Sequence, residues 1–98
     1  MSERNCRYIP MDNLKDGSTH LEITVSYSRD SSPRGYYITV TPVRKENNSV
    51  RVILFTSRRA LIARTNRYSD KQFIAALENS KALEKELVEM VLSEQRVA

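Results

Sequence analysis

The sequence predicts an α+β fold, a three-stranded antiparallel β-meander followed by two C-terminal helices. Two segments in the first half of the chain alternate strictly between apolar and polar residues, as half-buried strands do. In the last third, apolar residues recur at spacings of three and four, which indicates an amphipathic helix. At 98 residues the chain fits one domain. We predict that this domain covers residues 21–98, and that residues 1–20, which show neither period, form an irregular N-terminal arm.

The predicted meander covers residues 21–56. Its first strand alternates over residues 21–28 and its second over residues 36–43. The seven residues between them, RDSSPRG, contain proline and glycine and therefore predict a loop that joins two antiparallel strands.

A tight turn is predicted at Asn47 and Asn48, because asparagine tolerates a positive φ better than most residues. This turn places Val43 opposite Val52 on the third strand. A change of one residue in the length of the turn would move every side chain of that strand to the other face of the sheet.

Two helices are predicted after the meander. The first helix is predicted at residues 58–67, and either Thr56 or Ser57 is able to cap it. The second helix, at residues 70–95, starts at a capping box with Ser69 as the N-cap and Gln72 as the third helical residue. Propensity alone does not decide whether it is one helix or two that break at Asn79-Ser80. Aromatic residues flank this cap at the positions of a hydrophobic staple, Tyr68 and Phe73.

The positive charge of the chain is unevenly distributed. The net charge is +4, and residues 58–72 alone contain five basic residues and one acidic residue. Eleven of the sixteen cations are arginine, which favours bidentate contacts with phosphate or carboxylate groups. The placement of the charge therefore indicates an anionic partner.

A nucleic-acid-binding surface is predicted at Arg58, Arg59, Arg64, Arg67 and Lys71. At helical spacing, Arg64, Arg67 and Lys71 fall at i, i+3 and i+7 and therefore share one face. Arg58 and Arg59 would lie at the helix start, where the macrodipole disfavours cations by about 0.3–1 kcal/mol each. Helix stability does not explain them, whereas phosphate binding does. The preceding loop and strand extend the predicted surface with Arg29, Arg34 and Tyr37.

Structural explanations exist for the same residues. The cations also fit a solvated basic face whose aliphatic stems cover apolar neighbours, or one that pairs with the acidic residues of the last helix, Glu84, Glu86 and Glu89. Tyr37 also fits a cross-strand pair on the sheet.

The sequence argues against several kinds of chemistry. Cys6 and His20 are the only cysteine and histidine, so we predict no catalytic triad, no metal site and no cofactor, and hence no enzyme. The longest apolar run, Val52–Phe55, is too short to span a bilayer, which takes about 20 residues. The N-terminus contains no apolar signal segment. We therefore expect a cytoplasmic protein with no membrane partner.

The segments SPRGYYITVTPV and LFTSRRALI, followed by a C-terminal helix, resemble small uncharacterised proteins of bacterial mobile elements and phages. The resemblance covers roughly residues 21–75. The chain departs from that layout at Ser57-Arg58-Arg59, where a glycine-containing joint is expected. Neither a function nor a site residue is carried over from the resemblance, although small DNA-binding or host-protein-binding roles would fit such a setting.

Two functions follow as hypotheses. The first is a nucleic-acid-binding accessory protein whose basic helix contacts the phosphates of DNA or RNA. The second is a protein-interaction module or inhibitor that binds an acidic surface of a host or defence protein. A three-stranded sheet with one open face is marginally stable alone, so we also expect a homodimer formed through the sheet or the last helix.

Overall fold

A computed structural model describes residues 4–12, 14, 17–52 and 57–95. In this part of the chain five strands precede one helix: β1 (Arg4–Pro10), β2 (His20–Ser28), β3 (Gly35–Glu46), β4 (Ser49–Val52), β5 (Arg58–Arg64) and α1 (Asp70–Gln95). The α+β class and the antiparallel sheet are confirmed. The prediction of three strands and two helices is wrong.

The central strand of the sheet is β3, which is 12 residues long. One of its edges pairs with β2, and β2 in turn pairs with β1. The other edge pairs with β5 over residues 35–40 and with β4 over residues 43–46. Strands β4 and β5 therefore lie one after the other along the same edge, and all pairings are antiparallel.

The hairpin between β3 and β4 has the predicted register. Asn47 has a φ of 54°, which is the left-handed conformation that asparagine tolerates. Val43 lies opposite Val52. Of the predicted third strand, residues 53–56 lie outside the described residues.

The prediction of an irregular arm is wrong for Arg4–Pro10, which form β1 at the edge of the sheet. Only Ile9 in this strand packs against the hydrophobic core. Asn5 and Arg7 occupy the other positions on the same face. With one apolar residue among three, the strand has no detectable period of two, although its backbone pairs with β2 along seven residues.

The predicted helix at residues 58–67 is also wrong, because Arg58–Arg64 form strand β5. The first half of β3 needs a partner for its backbone groups, and β5 supplies it. The register of the β3–β5 pairing shifts between Tyr36 and Tyr37, where β5 has one extra residue and forms a β-bulge. The non-local pairing overrides the local pattern that favoured a helix.

Helix α1 agrees with the prediction for residues 70–95 and packs across β2, β3 and β5. Its N-cap is Ser69, whose Oγ accepts a hydrogen bond from the Gln72 amide at 3.1 Å. The rings of Tyr68 and Phe73 lie 6.0 Å apart across this cap, as the staple requires. The core beneath the helix consists of alternate strand residues and two helix residues, Leu21, Ile23, Val25, Ile38, Val40, Leu87 and Val91.

Candidate nucleic-acid interface

Three arginines from two separate connections line one cleft at the end of the sheet. Arg29 and Arg34 come from the β2–β3 loop, and Arg67 comes from the connection between β5 and α1. The cleft has a volume of about 350 Å³. We call it the arginine cleft and define it by its lining residues, Tyr27, Arg29, Arg34, Asn66, Arg67 and Tyr68.

An aromatic cluster lies under the arginine cleft and connects the sheet to the start of α1. Ring centroids in this cluster are 5.2 to 6.1 Å apart, within the range of favourable aromatic pairs. Its members are Tyr27, Tyr36, Tyr68 and Phe73. Tyr36 is fully buried at the centre of the cluster, where its ring packs against the other three.

Hydrogen bonds fix the two connections that carry the arginines. The Thr65 amide donates to the Arg34 carbonyl at 3.0 Å, so the β2–β3 loop is bound to the end of β5. The Tyr27 hydroxyl donates to the Thr65 carbonyl at 3.2 Å. The Tyr36 hydroxyl donates to the Ser69 carbonyl and accepts from the Ser69 amide, both at 3.0 Å. The backbones next to Arg34 and Arg67 are therefore held in place.

A second cleft adjoins the first and shares Tyr27 and Arg29 with it. Its volume is about 590 Å³ and its lining is almost entirely polar. We call it the serine cleft, lined by Ser26, Tyr27, Ser28, Arg29, Asp30 and Arg59. Four of the eight predicted site residues therefore line two adjoining clefts, namely Arg29, Arg34, Arg59 and Arg67.

Arg59 is engaged within the protein. Its guanidinium carbon lies 3.7 Å from the ring centroid of Tyr37, a cation–π contact. Its Nη2 donates to Ser31 Oγ at 2.5 Å, and Ser31 Oγ is 2.7 Å from Ser28 Oγ. Arg59 thus holds the β2–β3 loop against the sheet, and it also lines the serine cleft.

Tyr37 is enclosed by contacts within the protein. Its side chain is 8% exposed, its hydroxyl donates to the Pro33 carbonyl at 2.6 Å, and Arg59 covers its ring. A base has no access to the ring face that Arg59 covers.

The remaining predicted residues are separated from one another. Arg58 begins β5 and Arg64 ends it, about 20 Å apart at the usual rise of a strand. Arg58 forms an ion pair with Glu94 of α1. Arg64 is exposed opposite Gly35, at the end of the sheet that carries the arginine cleft, and Lys71 is exposed in the first turn of α1.

The predicted position of Arg58 and Arg59 at a helix start is wrong. Because β5 is not a helix, neither residue lies at a helix start, and no macrodipole opposes them. The sequence pattern also missed Asn66 and Tyr68 as lining residues. In the sequence, Asn66 falls at the end of one predicted helix and Tyr68 beside the cap of the next. Only the fold brings the two residues to the cleft.

Another cation–π contact lies on the outer face of the sheet, which we define as the face turned away from α1. Lys45 Nζ is 4.4 Å from the ring centroid of Tyr8, whose hydroxyl donates to Glu22 Oε2 at 3.0 Å. Hydrogen bonding to Cys6 and then to Glu22 raises the pKa of Tyr8 to about 12.

Among the residues that the structure describes, no three His, Cys, Asp or Glu side chains are grouped so that they could hold a metal ion. No helix in this part of the chain is long and apolar enough to cross a membrane. Comparison of the chain with models of protein families, with curated proteins and with solved structures finds no match.

Proposed function

We propose that the protein is a small non-enzymatic nucleic-acid-binding accessory protein that contacts phosphates through the arginine cleft. The observation that carries this proposal is the meeting of Arg29, Arg34 and Arg67 around one cleft. Arg34 and Arg67 are both exposed there, and an anion between them is attracted by both charges. Guanidinium groups also match the geometry of phosphate oxygens.

The two clefts together favour a chain of phosphates over a single small anion. They adjoin at Tyr27 and Arg29, so cations continue from Arg67 to Arg59 over both. Arg64 adds an exposed cation at the same end of the sheet. An extended polyanion is able to contact several of these groups at once. The proposal therefore replaces the basic helix with a surface made of two connections and a strand end.

The first experiment compares two double variants with the same change in charge. Arg34→Gln with Arg67→Gln alters the arginine cleft, whereas Lys81→Gln with Lys85→Gln removes two exposed cations from α1. Binding to labelled DNA is measured by fluorescence anisotropy between about 50 and about 200 mM salt. For the wild type with about four phosphate contacts, log K against log salt has a slope of about −3 to −4. Each lost phosphate contact reduces the magnitude of this negative slope by about 1.

The expected result is a slope reduced to about −2 in the cleft variant and unchanged in the helix variant. An equal loss in both would show that the attraction depends only on total charge, and would contradict the site. Absence of binding by the wild type to any DNA or RNA at low salt would contradict the function. In that case a nuclease-resistant pull-down that is lost in the cleft variant would support the alternative, an acidic protein partner.

This function does not depend on a homodimer. The expectation of a dimer rested on a sheet of three strands, and the sheet in the described part of the chain has five.

A further inference from the structure

We infer that the site recognises the backbone of double-stranded nucleic acid and does not stack with the bases of a single strand. This inference rests on the proposed function and adds the class of nucleic acid to it. Proteins that bind single strands combine cations with aromatic rings on which bases stack, at about 1–3 kcal/mol per base. The question is therefore whether the described surface offers an accessible ring face.

The rings nearest to the arginines are used in the aromatic cluster. Tyr27 is 9% exposed, and Tyr36 is fully buried. Tyr68 is half-buried and lies within 6.1 Å of three other rings, those of Tyr27, Tyr36 and Phe73. The Tyr68 hydroxyl also donates to Asp70 Oδ1 at 2.8 Å, which directs it to the start of α1. Tyr27 and Tyr68 line the cleft, and each of these rings packs against at least two others of the cluster.

Each tyrosine ring on the outer face is in a cation–π contact with a basic side chain of the same chain. Arg59 covers Tyr37 at 3.7 Å and Lys45 covers Tyr8 at 4.4 Å. The hydroxyls are occupied as well, because Tyr37 donates to Pro33 and Tyr8 donates to Glu22. Every tyrosine and phenylalanine in the described part of the chain is therefore either in the aromatic cluster or under a cation.

Arg34, Arg64 and Arg67 are exposed at this end of the sheet, as is Asn66, and their side chains are hydrogen-bond donors for phosphate oxygens. Such contacts position a protein on a backbone. Their strength follows the density of phosphates, and a duplex presents one charge per about 1.7 Å, twice the density of one of its strands. Phosphate contacts without stacking therefore favour the duplex.

The test measures the affinity of the wild type for a duplex of about 20 base pairs and for an unstructured single strand of the same length at about 50 mM salt. Intrinsic tyrosine fluorescence is recorded in the same titrations, since the chain has five tyrosines and no tryptophan. We expect the duplex to bind about fivefold more tightly, with a salt slope of about −0.9 per contact against about −0.7 for the single strand. Tyrosine emission is expected to stay constant.

A single strand that binds more tightly than the duplex and quenches tyrosine emission would overturn the inference. If Arg34→Gln with Arg67→Gln weakened that single-strand binding, the proposed function would stand and only the duplex preference would fail. Failure of both nucleic acids to bind would overturn the function itself. Two duplexes of unrelated sequence are included, and we expect their affinities to agree within about twofold, because phosphate contacts carry no sequence information.

Discussion

Replacement of Tyr36 by phenylalanine tests the connection between the sheet and the start of α1. Tyr36 is fully buried, and its hydroxyl makes two hydrogen bonds of 3.0 Å with the backbone of Ser69. The phenylalanine variant keeps the ring and its packing and removes only the oxygen. Because Ser69 follows Arg67 by two residues, the same bonds also fix one wall of the arginine cleft.

The two backbone groups of Ser69 differ in what they lose. The Ser69 carbonyl keeps a second hydrogen bond, from the Phe73 amide at 2.9 Å. The Ser69 amide loses the bond to the hydroxyl, and an unsatisfied donor costs about 1–3 kcal/mol. With the lost bond to the carbonyl, we expect Tyr36→Phe to lower the free energy of unfolding by about 2 kcal/mol. This corresponds to a decrease in Tm of about 8 °C for a domain of this size.

Urea denaturation followed by circular dichroism measures this difference. The matched control is Tyr27→Phe, which removes a single bond of 3.2 Å to the Thr65 carbonyl and is expected to cost about 0.5–1 kcal/mol. In a complete capping box the Gln72 side chain accepts a hydrogen bond from the Ser69 amide, whereas here the Tyr36 hydroxyl accepts that bond. When Tyr36→Phe removes the hydroxyl, the Gln72 side chain is in reach to accept the bond in its place. The comparison is therefore repeated with Gln72→Ala, which prevents this rescue. A cost of Tyr36→Phe no larger than that of Tyr27→Phe in this background would refute the reasoning.

Two further predictions concern the edges of the sheet. Gly35→Ala is expected to destabilise the protein by about 3 kcal/mol, because a Cβ at this position would lie 2.2 Å from the Ala63 carbonyl oxygen. Urea denaturation measures the loss of stability, and a loss under about 1 kcal/mol would contradict the close approach of β3 and β5. Tyr8 is expected to ionise near pH 12 instead of about 10, so that its stabilising effect is complete below about pH 10 and is lost as the pH rises towards 12. The difference in tyrosinate absorbance between the wild type and Tyr8→Phe measures this, and a difference that titrates near pH 10 would show that the bonds to Cys6 and Glu22 are absent.

Elements whose local pattern agrees with their tertiary setting were predictable. Strands β2 and β3 have one buried face, so their side chains alternate and the sequence shows it. Helix α1 has both a cap and an apolar stripe, and its predicted range of 70–95 is confirmed. The turn at Asn47 was predictable from the tolerance of asparagine for a positive φ.

Strands β1 and β5 were not predictable in this way because they lie at the edges. In β5, the four residues Ala60–Ala63 form an apolar run without alternation, and the bulge lets two neighbouring residues, Ile62 and Ala63, both pack inwards. A run of this length fits a buried helix segment as well as a strand. The segment forms a strand because one edge of the first half of β3 would otherwise lack a pairing strand. That need belongs to the sheet and cannot be read from the segment itself.

The same limit applies to the candidate site. The sequence identified Arg29, Arg34 and Arg67 individually, and their residue type and local density were sufficient for that. Their meeting at one cleft depends on the bond between Thr65 and Arg34, which joins residues 31 positions apart. A prediction based on helical spacing instead grouped Arg67 with Arg64 and Lys71, and the strand removes the basis of that grouping.

Edge strands give a further reason for arginines that has no connection with ligands. An exposed edge invites pairing with another chain, and charged residues on the edge prevent it. This protection is sufficient to explain Arg58, Arg59 and Arg64 in β5, two of which also have partners within the protein. It does not extend to Arg34 and Arg67, which lie in connections and not on a strand edge. The case for an anionic ligand therefore depends on these two residues, which is why the double variant that tests the proposed function removes them and leaves the edge of β5 intact.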